Sequence, residues 1–202
     1  MLVIGLNGSP NNDGNTVFLL KEALGAASEL GAETKLINVA PAVKTLNELF
    51  CDACTTPCAG VCYQGTKVEE LLNQLKEADG IIMASPVYFG TVASPLKILW
   101  DKTRAIRKEK ALVDVVGAAV AVGGSRFGGQ ETTIRAMQDM MLVQGMTIVG
   151  DGSFLDDAGH QGASAQKPSD KDQIGIKRSQ ILGRRVAEVA QGTMALRERK
   201  KG

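Results

Sequence analysis

Neither sign of charge is in excess. The chain has 23 Lys and Arg against 22 Asp and Glu, a net charge of +1. That balance gives no electrostatic case for nucleic acid or an anionic membrane surface. Long apolar runs are missing as well. The longest, Val115 to Val122, falls far short of the ~20 residues of a membrane-spanning helix. No basic segment precedes the apolar start, Met1 to Leu6, so no secretory signal is expected and a cytoplasmic location is. Histidine is scarce: His160 stands alone in a polar stretch and reads as a surface residue sooner than a proton donor. The basic end, Arg197 to Lys201, is too short to argue for nucleic acid and reads as solvated.

What is present begins with the first sixteen residues. Met1 to Leu6 breaks into Asn7-Gly8-Ser9-Pro10-Asn11-Asn12-Asp13-Gly14-Asn15-Thr16. Val17, Leu20, Leu24 and Ala27 then recur at helical spacing, with Asn15 as the expected cap and Gly31 as the stop. The pattern is strand, polar loop, helix N-terminus. Such a terminus offers free N–H groups and partial positive charge to a phosphate. The loop is neither a Walker loop nor the dinucleotide fingerprint, and no Lys or Arg precedes Lys21. A phosphate would be held by the hydroxyls of Ser9 and Thr16, the amides of Asn11 and Asn15, and backbone N–H groups. An ordinary Ser/Asn/Gly turn is the competing reading.

Further on, Glu33 to Val39 reads as a strand, and Val68, Leu71, Leu72 and Leu75 as a helical stripe. Ile81 to Ala84 is a short buried strand. Ser94-Pro95 reads as a cap followed by a first-turn proline, with Leu96, Leu99, Trp100 and Thr103 facing inward. Ala111 to Val122 reads as a central parallel strand. A helix follows over about Glu131 to Gln144, with Gly145 as its stop, then a last strand, Met146 to Val149. Asp151 to Pro168 reads as a polar loop. Ser169 is the expected cap of a final helix carrying Ile174, Ile181, Leu182, Val186 and Val189. Strands alternating with helices predict an α/β three-layer sandwich around a five-stranded parallel sheet. The flavodoxin-like order 2-1-3-4-5 is expected, with a ligand at the C-terminal strand ends. The 202 residues fit one domain, with a cysteine-rich insertion at about 47–65 and a basic tail at about 193–202.

Three loops fall on that ligand edge. The second, Pro86-Val87-Tyr88-Phe89-Gly90-Thr91, offers backbone N–H groups beside two aromatics, and a planar heterocycle could stack there. The third, Gly123 to Gln130, has glycine at Gly123, Gly124, Gly128 and Gly129, where a flat ring can approach backbone closely. Together with a phosphate loop, these predict an FMN site.

At this point the sequence resembles the flavodoxin-like NADPH-dependent FMN reductase family. Gly8-Ser9-Pro10 through Gly14-Asn15-Thr16 resembles its phosphate loop, and Pro86 to Gly90 its isoalloxazine loop. Gly128-Gly129-Gln130-Glu131-Thr132-Thr133 resembles the third loop of its quinone-reductase members, related to the tryptophan-repressor-binding protein. The resemblance runs to about Val149. It implies that Ser9, Asn11, Asn15 and Thr16 hold the phosphate, and that Pro86, Val87, Tyr88, Phe89, Gly90, Gly123 and Gly124 hold the ring. It also implies a homodimer or homotetramer.

All four cysteines lie in Cys51-x2-Cys54-x3-Cys58-x3-Cys62. In a reducing compartment that clustering points to metal or redox chemistry more than to disulfides. Following the second strand, it is expected on the flavin side of the sheet. The motif resembles the iron–sulfur flavoproteins, which carry a [4Fe–4S] cluster beside FMN, though their last gap is usually longer. Four thiolates also suit zinc, and free thiols are the third possibility.

The reading is an oxidoreductase moving electrons between NAD(P)H or a ferredoxin and an acceptor through FMN and the cluster. A cluster-free NAD(P)H:quinone reductase and a non-catalytic electron carrier are the alternatives. No protein side chain is assigned as catalytic. Among the remaining residues, Arg126 could meet a nucleotide phosphate or simply be solvated. Lys97 reads as exposed, and Met137, Met140 and Met141 as core or subunit interface. Asp156-Asp157 reads as part of a solvated loop.

Overall fold

The computed structural model describes residues 1–198. In chain order its elements are β1 (Leu2–Asn7), α1 (Asn15–Glu29), β2 (Glu33–Asn38) and α2 (Val39–Val43). Then come α3 (Lys67–Lys76), β3 (Gly80–Pro86), α4 (Ser94–Lys102), α5 (Arg104–Lys108) and β4 (Val116–Gly123). α6 (Gln130–Leu142), β5 (Thr147–Ile148), β6 (Ala163–Gln166), α7 (Gln173–Gly192) and α8 (Met194–Glu198) complete it. The strands pair in parallel in the order β2-β1-β3-β4-β5, as expected for a flavodoxin-like sheet.

Alternation along the strands sorts the core into two layers. Ile4, Leu6, Ile81 and Met83 face α3, α4 and α6, where they meet Leu72, Leu75, Leu96, Leu99 and Met137. Val3, Ile82 and Ala84 face α1 and α7, where they meet Leu20, Ala23, Leu24 and Val186. Each large side chain so buried contributes about 1.5–3 kcal/mol, and β1, β3 and β4 are buried along nearly their whole length. That rigid centre fixes the three loops at its C-terminal end.

The edge of the sheet differs from expectation. The stretch Asp151 to Pro168 is not all loop: Ala163 to Gln166 forms β6 and pairs with Val120 to Gly123 of β4. β5 pairs only with Val116 and Gly117 of the same strand. One strand position beside β4 is thus filled in two pieces. The second piece, Ala-Ser-Ala-Gln, carries too little apolar bulk to read as a strand. β4 itself begins at Val116, because Lys110 and Asp114 take positive φ and turn the chain through 111–115.

Several expected caps move by a residue or more. Gly14, not Asn15, precedes α1, and Ala93, not Ser94, precedes α4. Ser169 starts a short 3-10 turn, and Asp172 caps α7 by accepting from Gly175 N–H at 2.9 Å. Ile174 points to solvent. The expected basic tail is also corrected over 193–198. Met194–Glu198 is helical, and Arg197 is buried against Asp79 at 3.0 Å. Its hydrogen bonds to Ala190, Thr193 and Asp79 draw it out of solvent. Residues 199–202 lie outside the described residues. Met137 and Met141 are core, as expected.

Candidate functional site

The end of β1 is organised by a buried amide. Asn7 donates from its side chain to the carbonyl of Asn11 at 2.9 Å and to Asn38 Oδ1 at 2.7 Å. Its own Oδ1 accepts from Ser9 N–H at 3.1 Å. Ser9 Oγ accepts from Asn11 N–H at 3.1 Å. Asn7 is therefore the organiser of the loop that the sequence reading passed over; its side chain is fully buried. The loop wraps around the start of α1, where Gly14 supplies no side-chain cap. The helix's first-turn N–H groups, which have no intrahelical partners, face the loop side. Thr16 is buried there, and Asn15 is turned sideways, its Oδ1 accepting from Ser169 N–H at 2.7 Å.

The loop after β3 is a tight turn. Tyr88 and Thr91 exchange both backbone hydrogen bonds, at 3.0 and 3.2 Å. Phe89 and Gly90 between them both take positive φ, the arrangement of a type I′ turn, which glycine tolerates without strain. Val87 N–H is spent on Val122 O at 2.9 Å. The N–H groups of Phe89 and Gly90 have no acceptor among the described residues. Tyr88 is half exposed and Phe89 fully so. Ser85 fixes the base of the loop, accepting from Ala93 N–H and donating to Pro86 O.

The third loop is built around Gln130, which is buried. Its Nε2 donates to Ser125 O at 2.7 Å and Ala165 O at 3.3 Å, and its Oε1 accepts from Gly128 N–H at 2.9 Å. Thr132 Oγ1 donates to Gly90 O at 2.8 Å, tying the third loop to the second. Gly124, Arg126 and Phe127 are exposed at the rim. Beside them a groove of about 590 Å³ is lined by Arg126, Gln130, Lys167, Lys171 and Ile174.

The fit to FMN is favourable. Around Gly14 a Cβ would meet nothing within 4 Å, and around Gly90 nothing closer than 3.9 Å, so both stretches of backbone are open to approach. The three loops stand at the C-terminal ends of β1, β3 and β4, and α1 and α4 leave the neighbouring strands β1 and β3 toward opposite faces of the sheet, the place such sheets bind their ligands.

The cysteines behave differently. All four are free thiols; Cys51 and Cys54 are exposed, Cys58 and Cys62 half-buried. The latter two pack on the core layer that holds Tyr63. Burial first, then Cys58 and Cys62, push the Tyr63 phenol up from 10.0 to about 12. Number and kind of donor fit a thiolate-held centre. The loop does not gather them, since no three His, Cys, Asp or Glu among the described residues converge on a metal position. The segment also has fixed points outside the three loops. It is held at the far end of α4, by Lys102 and Arg104. α4 starts just past the ring loop and is about 13 Å long.

Outside these loops, Asp151 is fully buried, with Arg178 Nε at 3.4 Å and His160 Nδ1 at 3.6 Å. His160 is mostly exposed, as expected. Asp157 accepts from Arg178 at 2.9 and 2.6 Å, and Asp156 lies 3.1 Å from Lys177. Lys97 is exposed and pairs with Asp101 at 2.7 Å. Among the described residues no helix is long and apolar enough to cross a membrane.

The sheet is flavodoxin-like, with the 7–16, 86–91 and 123–130 loops at its C-terminal edge, and the family match makes the chain a flavin-dependent oxidoreductase. The chain belongs to the NADPH-dependent FMN reductase family, whose model matches residues 1–161. It is similar to an iron–sulfur flavoprotein of Methanocaldococcus jannaschii, 45% identical over 194 residues, covering 94% of this chain and 97% of that one. An iron–sulfur flavoprotein of Methanosarcina thermophila is 34% identical over 195 residues, covering 94% and 95%. Among solved structures, a flavodoxin, a WrbA-like protein from Agrobacterium tumefaciens, superposes with a TM-score of 0.68. It shares 18% identity and covers 95% of this chain and 97% of that one. The protein is thus an FMN-binding oxidoreductase.

Proposed function

We propose that the chain transfers electrons between a reduced donor, NAD(P)H or a ferredoxin, and an acceptor, using FMN and a [4Fe–4S] centre on Cys51, Cys54, Cys58 and Cys62. The observation that carries this reading is the pairing of an open flavin edge with four free thiols in one loop. FMN takes a hydride as two electrons and releases them singly, and a cluster carries one at a time.

This chain's residues bind and orient. The uncapped first turn of α1, with Ser9, Asn11, Asn15 and Thr16, holds the phosphate. Ser9 and Asn11 act through the loop that Asn7 shapes, because their own bonds close it. The ring lies against Pro86 to Gly90, with the free N–H groups of Phe89 and Gly90 as donors and exposed Gly124 giving close approach; Gly123 is buried and makes room for the Gln130 amide instead. Preorganised donors of this kind favour negative charge on a reduced ring. Arg126, Lys167 and Lys171 around the adjoining groove complement the phosphates of a dinucleotide donor.

The test is an absorption spectrum of protein purified without oxygen, with iron, zinc and acid-labile sulfide measured on the same sample. Flavin bands with about four iron and four sulfide per chain are expected. Flavin with zinc, or with no metal, moves the reading to a cluster-free reductase. Protein that takes up no FMN at all sinks both.

A further inference from the structure

The turn that follows β6 reaches back to the first helix. Ser169 opens that turn and is fully buried. The turn's own bonds run from Lys171 N–H to Pro168 O at 3.1 Å and from Asp172 N–H to Ser169 O at 3.3 Å. Ser169 N–H is left without an acceptor inside the turn, as first-turn donors are. It finds one 154 residues away in the sequence: Asn15 Oδ1, at 2.7 Å. Two residues before Ser169, Lys167 N–H donates to Gly123 O at 3.0 Å. The stretch 167–169 thus ties the third loop to the helix that follows the first.

That bond decides which way the Asn15 amide faces. A backbone N–H can only donate, so the atom that meets it must be the amide oxygen. With the oxygen spent on Ser169, the Nδ2 hydrogens are what Asn15 has left to offer, and they have no acceptor among the described residues. Turned over, the amide would set Nδ2 against Ser169 N–H, donor against donor. A buried N–H would then stand unpaired, which is expensive. The turned amide would also present its oxygen at the start of α1. Gly14 gives that helix end no side-chain cap, and no acidic residue stands in its first turn. The end is set up for an anion, and of the two ends of the Asn15 amide only the NH2 end suits one.

We propose that Ser169 is a positioning residue for the phosphate of FMN: its N–H holds the Asn15 amide with the donor end free, and so sets a preference for FMN over riboflavin. This rests on the FMN site proposed above, with Asn15 as one of its phosphate donors. Ser169 acts through its backbone. Its hydroxyl is buried and has no hydrogen-bond partner among the described residues.

The experiment titrates FMN and riboflavin into flavin-free protein and reads the ratio of their dissociation constants. Riboflavin is FMN without its phosphate. An effect carried by the phosphate moves the ratio, and a general loss of fold or of ring binding weakens both flavins alike. Ser169→Pro removes the N–H. Pro168 already has the extended ψ of 128° that the residue before a proline prefers, and proline suits a first helical position. Ser169→Ala keeps the N–H. The expected result is an FMN preference about tenfold smaller in Ser169→Pro, with Ser169→Ala near wild type. In an Asn15→Ala background Ser169→Pro should change the ratio no further, because the two residues act as one unit. A wild-type ratio in Ser169→Pro, equal weakening of both flavins, or an undiminished effect in the Asn15→Ala background overturns the proposal. Should Ser169→Pro fail to fold, the side-chain NH2 resonances of Asn15 in isotope-labelled wild type carry the test. They should shift on binding FMN and not on binding riboflavin, and equal shifts overturn the proposal. Wild type that binds FMN and riboflavin equally overturns it while leaving the flavin site standing; wild type that binds neither removes that site as well.

Discussion

A Cβ on Gly8 would lie 2.7 Å from the Cβ of Leu96. The loop after β1, the proposed phosphate loop, is therefore seated directly on α4, the helix that begins just past the 86–91 loop. Gly8 N–H also donates to Ala84 O at 2.8 Å, and the added Cβ would stand 3.0 Å from that oxygen. Neither neighbour is the free end of a flexible side chain. Gly8→Ala is expected to cost about 1–3 kcal/mol by overpacking. Because the strain falls on the loop, FMN should bind at least about tenfold more weakly. Thermal melts and titration of flavin fluorescence measure the two effects. Gly25→Ala is the control: it lies exposed within α1, a Cβ there meets nothing within 4 Å, and about 0.5–1 kcal/mol of stabilisation is expected.

Gln130 makes a sharper test of the third loop. Its side chain bridges Ser125, Gly128 and Ala165, so one residue couples the third loop to β6. Truncation to Ala leaves buried backbone groups without partners, at about 1–3 kcal/mol each where water cannot reach them. Gln130→Ala should lower the melting temperature and weaken FMN binding together. Gln130→Glu keeps the acceptor for Gly128 N–H and loses the donor to the two carbonyls. At neutral pH it also sets a buried carboxylate against those two carbonyl oxygens, so it should be destabilised at least as much as Ala. A melting temperature unchanged by either substitution would remove Gln130 from its organising role.

These two residues also mark what the sequence made legible. Hydrophobic periodicity gave the sheet order, because β1, β3 and β4 are buried runs with one layer of helices on each face. The loops were placed on the correct edge by chain order alone. Asn7 and Gln130 do not stand out, because a buried amide serving a loop looks in sequence like any polar residue at a strand or helix end. β6 escaped for the opposite reason: Ala163 and Ala165 are buried through their neighbours' bulk, not their own. Arg197 reads as solvated because nothing local announces Asp79, more than a hundred residues earlier. The cysteine segment followed β2 as expected, but Lys102 reads in sequence as one more helix-end lysine. Only its burial shows where the segment is held.

The Asp79–Arg197 pair closes the end of the chain over the start. Asp79 Oδ2 accepts from Leu2 N–H at 2.8 Å, and Oδ1 meets Arg197 Nε at 3.0 Å. Burial pushes the Asp79 carboxyl up, but the Leu2 N–H and Arg197 outweigh it and hold it below 3.8. A folded value below the unfolded one means stability fully present above about pH 4 and lost as pH falls through the folded value. Arg197→Met should therefore cost about 2–3 kcal/mol at pH 7, where it leaves a partly buried carboxylate without its cation. The gap to wild type should narrow on acidification below pH 4. Urea melts at pH 7 and pH 3 give both numbers, and a gap that widens in acid would contradict the pairing.

Arg178 holds the segment that splits the sheet edge. Its guanidinium donates twice to Asp157, and Asp151 lies 3.4 Å from its Nε. The paired hydrogen bonds from Arg178 lower the Asp157 carboxyl from 3.8 to about 2, outweighing the desolvation that raises it. The sign follows as for Asp79: the latch is whole above pH 3.8 and opens as pH drops toward 2. Asp157 is more than half exposed, so the signature belongs in its own titration and not in global stability. Carbon-detected NMR of the Asp157 carboxyl should give a midpoint near 2 in wild type. In Arg178→Gln, which removes the charge and the paired donors, the midpoint should return toward 3.8. Amide exchange across 151–162 at neutral pH should rise in the same variant, because the stretch joining β5 and β6 then keeps only the Lys177–Asp156 pair as its charged tie to α7. An unmoved midpoint would mean that the Gly159 N–H, which also donates to Asp157 at 2.8 Å, sets the carboxyl by itself.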